Sequence, residues 1–312
     1  MEHQPLLGIH HVTAICGDAQ RNLDFYTQKL GLRLVKITIN YDDPTAYHIY
    51  YGDSVGSPGT VLTFFSYPSG AHGSTGGGMF SMFTLGVPMD SLGFWKSRLS
   101  EFAPEWYVNG LGEKSLMVND PDGLKFHLME TEIANPKAWT EVVEPDHAIQ
   151  QVASVTLASR TDASRLFLQE KLRLESTHSC PMESGQKKLR FPLQNQALDL
   201  IPLPTRCLGG RGTIHHVAFR TATERDQQLW ISWLNDHGSH PSEVKDRHYF
   251  HSIYFREPSG ALCEIATDKP GFLVDESESK LGSSLQLPKA LQKYKDDLEI
   301  SLPKLKLPAM AR

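Results

Sequence analysis

The sequence predicts an α+β fold built from four βαβββ units arranged in two domains. Two repeats carry this prediction. The segment GIHHVTAI at 8–15 returns as TIHHVAFR at 213–220, and HIYYGD at 48–53 returns as SIYFRE at 252–257. Self-similarity of this kind indicates a supersecondary unit that occurs more than once. A chain of 312 residues is long enough for two domains of ordinary size.

The first unit begins with the strand that contains His11 and continues into a helix. In RNLDFYTQKLG, the residues Leu23, Tyr26 and Leu30 fall on one helical face, and Gly31 is the expected stop signal. Three strands rich in β-branched and aromatic residues follow, separated by turn formers: LRLVKITI, AYHIYYGD and TVLTFFSY.

The other three units repeat this order. The second starts at MFSMFTLGV and ends in a hairpin with the turn DPDG and the strand LKFHLME, the third runs from QVASVTLAS to ALDLIPL, and the fourth contains His216. The polar, Pro-containing stretch between the second and third units reads as a linker. We expect a first domain at 7–132, a linker at 133–149, a second domain at 150–268 and a tail at 269–312 that packs as a helix plus an extended arm.

Composition narrows the class of protein. A net charge of -5 gives no attraction toward nucleic acid or anionic lipid. We find no apolar run long enough to span a membrane and no secretory signal at MEHQPLLGIHH. The four cysteines show no close pairing and are expected to be reduced thiols in a cytoplasmic protein. Self-association into a homo-oligomer is compatible with the sequence.

Repetition singles out a candidate metal site. Side chains alternate along a strand, so one histidine of each adjacent pair is expected to face a shared cavity, and the repeat makes His11 and His216 equivalent choices. Glu264 lies among apolar residues in the strand ALCEIATD, where a carboxylate is costly to bury unless it is paired or binds a metal. Two imidazoles and one carboxylate are the ligands of the Fe(II) facial triad, and they also hold Mn or Zn.

Other side chains are candidates for catalysis and for substrate binding. Tyr254 and its repeat mate Tyr50 are expected to line the cavity, and Tyr254 is a candidate catalytic residue. His48 and His248 are expected to share strand faces with these tyrosines and to be able to move a proton. The expected aromatic walls of the cavity are the rings of Phe64, Phe65 and Phe250.

Three stretches carry a family resemblance: GIHHVTAICGDAQRNLDFYTQKLGLRLVK, DDPTAYHIYYGD and DRHYFHSIYFREPSGALCEIATDKPGF. The chain resembles the ring-cleaving dioxygenases of the vicinal oxygen chelate (glyoxalase/extradiol dioxygenase) superfamily, above all the bacterial hydroquinone-specific group. The resemblance implies four modules in two vicinal oxygen chelate domains, extradiol-type chemistry on a small aromatic substrate with dioxygen, and Fe(II) held by His11, His216 and Glu264. It also implies that Tyr254 hydrogen-bonds the substrate oxygen near the metal.

The chain departs from the family pattern in a way that predicts its topology. The first strands of the second and third units carry no histidine, and the strand after DPDG carries His127 where a glutamate is common. Neither domain alone therefore supplies three ligands. We predict that the first and fourth units share a cavity, that the second and third pair with each other, and that His11 lies within about 7 Å of His216.

Two other classes of protein use this kind of fold. A glyoxalase-type isomerase or thiol transferase usually has a second carboxylate ligand, whereas the matching position in the first unit is Thr63. A non-catalytic protein that binds an aromatic ligand would be expected to have lost a metal ligand. The retained set of three ligands favours dioxygen chemistry over both.

Overall fold

Two curled eight-stranded sheets form the framework of the protein. The structure, a computed structural model, describes residues 4–109, 111–182 and 187–308. None of the helices in these ranges has the length and apolar composition needed to cross a lipid bilayer.

The first unit has the predicted order of strand, helix and three strands. Its elements are β1 (Ile9–Cys16), α1 (Ala19–Asp24), β2 (Arg33–Asn40), β3 (Asp43–Gly52) and β4 (Val61–Ser66). Helix α1 continues as a π-helical turn at Phe25–Lys29. The chain then leaves the helix at Gly31, whose φ of 69° suits a residue without a Cβ. Leu23, Tyr26 and Leu30 are fully buried, which confirms the predicted helical face.

The remaining units follow the same order. The second comprises β5 (Met79–Val87), α2 (Leu92–Arg98), a 3₁₀ turn at Ser100–Phe102, β6 (Glu105–Val108), β7 (Lys114–Asn119) and β8 (Lys125–Glu130). The third comprises β9 (Gln151–Ser159), α3 (Ala163–Leu166), a π turn at Phe167–Lys171, β10 (His178–Pro181), β11 (Lys187–Leu193) and β12 (Gln196–Pro202). The fourth comprises β13 (Thr213–Thr221), α4 (Glu224–Asp236), β14 (Lys245–Asp246), β15 (Phe250–Arg256) and β16 (Leu262–Pro270). The α+β class with four βαβββ units is thus confirmed.

The two sheets combine units that are distant in the chain. The first sheet has the order β14-β15-β16-β13-β1-β4-β3-β2, and the second has the order β10-β11-β12-β9-β5-β8-β7-β6. Strands β13 and β1 join the fourth unit to the first, and β9 and β5 join the third to the second, both in antiparallel pairs. The predicted pairing of units is confirmed. The ranges 7–132 and 150–268 each contribute one unit to each sheet.

Both central strand pairs contain β-bulges. In the pairing of β1 with β13, the register skips one residue on each strand, and the skipped residues are His10 and His215. In the pairing of β5 with β9, the skipped residues are Ser81 and Ala153. A bulge re-aims the side chains beside it. Strict alternation of faces therefore fails at both histidine pairs.

The segment 133–149 contains no helix or strand among its residues, but it does not hang free. Val143 is buried and packs so closely against Gly31 that a Cβ added to Gly31 would lie 2.5 Å from Cγ2 of Val143. The four cysteines are unpaired.

The tail runs back across the first sheet. Its elements are 3₁₀ turns at Phe272–Val274, Glu278–Lys280 and Lys289–Tyr294, followed by α5 (Lys295–Ser301) and an extended end. Lys36, fully buried on β2, places its Nζ 2.5 Å from Asp275 Oδ1 and 2.5 Å from Glu276 Oε2. This ion-paired cluster ties the start of the tail to the first unit.

Candidate metal centre

Three neighbouring strands bring the two histidines and the glutamate together. His11 on β1 and His216 on β13 have their Nε2 atoms 3.4 Å apart. Oε2 of Glu264, on β16 beside β13, lies 2.9 Å from His216 Nε2 and 3.5 Å from His11 Nε2. All three side chains are buried. The predicted closeness of His11 and His216 is confirmed.

The state of these side chains fits a bound divalent cation. Oε1 of Glu264 accepts a hydrogen bond from Ser252 Oγ at 2.5 Å, but Oε2 is buried without a hydrogen-bond partner among the described residues. Burial alone would raise the pKa of Glu264, yet the imidazoles of His11 and His216 hold that pKa well below its usual range. Burial lowers the pKa of His216. An anionic carboxylate and a neutral imidazole are the forms that bind metal.

Each candidate ligand histidine has a second histidine behind it. Nδ1 of His11 lies 3.0 Å from Nδ1 of His10, and Nδ1 of His216 lies 2.7 Å from Nδ1 of His215. An imidazole that binds metal through Nε2 carries its proton on Nδ1 and needs an acceptor there. Burial lowers the pKa of His10 and of His215 to about 3, so both are neutral and can accept that proton. The bulges create these pairs.

A cavity of about 300 Å³ opens beside the three side chains. This volume lies at the lower end of the range for small-molecule sites. Its walls come from the first and fourth units: His11, Asn40, Tyr41, Asp42, His48, Tyr50, Phe65, His215, His216, Arg247, Phe250, Tyr254 and Leu262. The expectation that only one histidine of each pair faces the cavity holds for the first pair, where only His11 lines the wall, but is wrong for the second pair, where both His215 and His216 line it.

Tyr254 lies on β15 directly opposite Glu264, and its ring centroid is 5.8 Å from that of His216. Its hydroxyl accepts a hydrogen bond from Arg247 Nε at 3.1 Å. Burial raises the pKa of Tyr254, so the phenol keeps its proton at neutral pH. Arg247 also bonds Asp42 at 3.0 Å, which links the fourth unit to the β2–β3 turn of the first unit.

His48 and Tyr50 form a hydrogen-bonded row on the opposite wall. His48 Nε2 lies 2.8 Å from Thr63 Oγ1, and His48 Nδ1 lies 2.8 Å from the Tyr50 hydroxyl. Thr63 pairs with Thr13, two residues after His11. Glu264 pairs with Ala218, two residues after His216, so Thr63 is the first-unit counterpart of Glu264. The first unit therefore offers no second carboxylate to the centre.

Two sequence expectations need correction. His248 does not share a strand face with Tyr254. It lies in the turn before β15 with a φ of 69°, its Nε2 is 3.3 Å from Asp275 Oδ2, and it is not part of the cavity wall. Phe64 packs on the other side of the sheet, where its ring centroid is 4.5 Å from that of Tyr26.

The aromatic walls are Phe65 and Phe250. Phe65 faces the cavity because side chains alternate along β4 and the neighbouring ring of Phe64 points into the core. Phe250 has its ring centroid 5.0 Å from that of His11.

Sequence reasoning missed Arg247 and three residues where β2 turns into β3, namely Asn40 at the end of β2 and the turn residues Tyr41 and Asp42. They lie at this turn and on the approach to β15, where no periodic pattern marks the inward side. Leu262 had a signal, since it stands two residues before Glu264 on the same face of β16.

This architecture, with its candidate metal centre, defines a class of protein, the folds made of paired βαβββ units. The family model described as "Glyoxalase/Bleomycin resistance protein/Dioxygenase superfamily" matches residues 8–128. A protein of Bacillus subtilis (strain 168) named "Putative ring-cleaving dioxygenase MhqE" is 38% identical over 96% of this chain and 99% of its own length. The chain belongs to the glyoxalase/bleomycin resistance protein/dioxygenase superfamily.

Two further relatives agree with this placement. A chlorohydroquinone/hydroquinone 1,2-dioxygenase of Sphingobium indicum is 31% identical over 93% of this chain and 94% of its own. A crystal structure from Bacillus subtilis subsp. subtilis str. 168, described as a "putative dioxygenase", superposes with a TM-score of 0.90 at 36% identity, covering 98% of this chain and 100% of that one. The resemblance drawn from the sequence is confirmed.

Proposed function

We propose that the protein is a metal-dependent ring-cleaving dioxygenase that acts on a dihydroxylated aromatic ring of hydroquinone or catechol type. The observation that carries the proposal is the meeting of His11, His216 and Glu264 beside a small cavity with aromatic sides, whose wall includes both histidines. The names of the relatives support the same activity.

His11, His216 and Glu264 would hold the metal. Two imidazoles and one carboxylate are the donor set of Fe(II) oxygenases, and we propose Fe(II), while Mn and Zn accept the same donors. When bound, such an ion lowers the pKa of a phenol and brings the phenol and dioxygen within bonding distance of each other.

Tyr254 is proposed to hold the substrate oxygen. Its protonated hydroxyl is fixed by the Arg247 guanidinium, which leaves the O–H free to donate toward the cavity. The charge on Arg247 favours developing negative charge on the phenol oxygen nearby.

His48 is proposed to relay a proton, taking it on one ring nitrogen while it releases one from the other. Burial lowers its pKa well below the usual value, so the imidazole is neutral. Its two nitrogens lie in a row that runs from Tyr50 to Thr63, along which a proton can be passed.

The cavity suits a single ring. The rings of Phe65 and Phe250 provide apolar walls, and the enclosed volume of about 300 Å³ leaves little room beyond one ring and dioxygen. We propose extradiol-type cleavage, next to a hydroxyl-bearing carbon.

The test uses protein purified without oxygen, analysed for metal and then given hydroquinones and catechols while oxygen uptake is recorded. We expect stoichiometric iron, uptake with at least one substrate, and a product that gains two atoms from isotopically labelled dioxygen. His216→Ala should lose both metal and uptake, whereas the exposed control His178→Ala should keep both. Iron without uptake on any phenol would favour the isomerase class, and full metal content in His216→Ala would remove the proposed centre.

A further inference from the structure

The second sheet contains a counterpart of the metal centre with different side chains. Because the bulges of the two sheets coincide, Met82 and Ser154 stand at the register positions of His11 and His216. Asp199 pairs with Thr156, two residues after Ser154, just as Glu264 pairs with Ala218, two residues after His216. Asp199 is therefore the counterpart of Glu264. A thioether, a hydroxyl and one carboxylate do not make the ligand set of the first sheet.

Two cationic side chains, those of Arg190 and Lys188, form ion pairs with the Asp199 carboxylate instead. Arg190 is the antiparallel partner of Asp199, as Tyr254 is of Glu264, and its Nε and Nη2 lie 2.8 and 3.0 Å from the two carboxylate oxygens. Lys188 Nζ lies 2.5 Å from Asp199 Oδ2. The charge that a metal would supply in the first sheet is therefore supplied by side chains in the second.

These residues surround a cavity of about 440 Å³, here called the second cavity. The part of its wall that matters is formed by Met82, Met129, His127, Lys188, Arg190 and Asp199. His127 Nδ1 lies 2.8 Å from Ser115 Oγ, which leaves Nε2 for another partner. Burial lowers the pKa of His127 to about 4, so the ring is neutral. Methionine thioethers pack well against aromatic rings.

Among the charged groups of the second cavity, those with unused hydrogen-bonding capacity are the donors Arg190 and Lys188. Three of the five N–H groups of Arg190 donate to carboxylates, and Lys188 has one carboxylate contact for its three N–H groups. A ligand with acceptor oxygens is the complement of this wall.

The chain itself shows which acceptor fits. Glu113, in the turn between β6 and β7, places Oε1 2.5 Å from Arg190 Nη1. Its side chain is 32% exposed, whereas that of Asp199 is 2% exposed. Burial opposes ionisation of Glu113, but hydrogen bonds from Arg190 and Asn109 lower its pKa overall. Arg190 thus already holds a carboxylate that comes from the solvent side and can be replaced.

We propose that the second cavity is a metal-free binding site for a small aromatic carboxylate. Its carboxylate takes the place of Glu113 on Arg190, and its ring lies against Met82 and Met129 beside His127. The site is separate from the metal centre and does not depend on the reaction proposed there.

The test follows methionine methyl signals by NMR in the full-length, metal-loaded protein labelled with carbon-13, with benzoate as the probe. Met82→Leu and Met129→Leu assign the two signals. We expect both to shift saturably through the ring current of benzoate. Arg190→Lys should weaken binding about tenfold, because it keeps the charge and loses the paired hydrogen bonds. Glu113→Gln should tighten binding several-fold, because it removes the competing carboxylate.

His216→Ala serves as the control for the first cavity and should leave both methyl shifts unchanged. Benzyl alcohol, which lacks the carboxylate, should bind equally to the parent protein and to Glu113→Gln. The proposal is overturned if neither methyl signal moves at millimolar benzoate, or if Glu113→Gln binds benzoate no better than the parent protein. Shifts that vanish in His216→Ala would place the benzoate in the first cavity and also overturn it.

Discussion

Ser252 Oγ donates to Glu264 Oε1 at 2.5 Å, and this bond turns the other oxygen of the carboxylate toward the two histidines. Ser252 on β15 pairs with Ala266, two residues after Glu264 on the adjacent strand β16, and both Ser252 and Glu264 are fully buried. The hydroxyl therefore fixes which oxygen of Glu264 is available to a metal.

Replacing Ser252 by Ala should weaken metal binding about 10- to 100-fold, the range found for residues that orient metal ligands. The carboxylate would be free to rotate and would leave a second oxygen unpaired. Competition with a chelator of known affinity measures the effect. Ser232→Ala, on the exposed side of α4, is the matched control, and equal affinities in the two variants would refute the orienting role.

The two histidine pairs predict unequal effects. His10 is 2% exposed, whereas the side chain of His215 is enclosed where it meets His216 and open to solvent elsewhere, so water can replace the acceptor at His215 but not at His10. His10→Phe, which keeps a ring in place, should lower metal affinity by about tenfold, and His215→Ala should lower it much less. Isothermal titration of the metal-free protein with Fe(II) or Zn(II) checks this, and a larger loss in His215→Ala would contradict it.

Tyr254 and Tyr41 provide a matched pair in the cavity wall. Tyr254→Phe should reduce kcat by roughly 100-fold or more while metal content stays the same, because it removes a hydroxyl proposed to contact the substrate oxygen. Tyr41→Phe removes a hydroxyl that lines the same cavity without the Arg247 contact. Steady-state oxygen uptake distinguishes the two, and equal losses would argue against a specific role for Tyr254.

Asp120 predicts a pH dependence of stability. The residue opens the DPDG turn and accepts hydrogen bonds from Asp122 N, Leu124 N and the Tyr26 hydroxyl. Burial raises its pKa from 3.8 to about 6. Between about pH 4 and pH 6 the folded state holds a proton that the unfolded state has released, so the free energy of unfolding falls as pH rises through this window.

Asp120→Asn removes this titration. The free energy of unfolding of the parent protein, relative to the variant, should fall by roughly 2 to 3 kcal/mol between pH 4 and pH 7, following from a shift of about two pKa units. Urea unfolding at several pH values provides the measurement. A difference that does not change with pH would show that Asp120 is ionised in the folded protein throughout.

The repeat explains how much of the centre could be predicted from the sequence. His11 and His216 occur at matching positions of the first and fourth units, and Glu264 lies on a strand of the fourth unit. The absence of such histidines from the first strands of the other two units already indicated that the first and fourth units meet.

The errors of the sequence-based prediction concern which side of a strand individual side chains face. Phe64 and Phe65 are adjacent aromatic residues on one strand, so a pattern of apolar residues does not decide which ring faces the cavity. His248 lies in a turn whose φ of 69° moves it off the line of β15. The bulges at His10 and His215 add a residue that no local sequence signal marks, and they decide that each pair can act together.

The joining of the first and last units has a consequence for synthesis. Strand β1 pairs with β4 on one side, but its other edge is completed only by β13, whose His216 follows His11 by 205 residues. At 5 to 20 residues per second, a ribosome takes roughly 10 to 40 s to make that stretch. Throughout this interval the backbone N–H and C=O groups on that edge of β1 lack their partner strand in the nascent chain, so the early product is the stage at which a holding chaperone has a strand edge to bind.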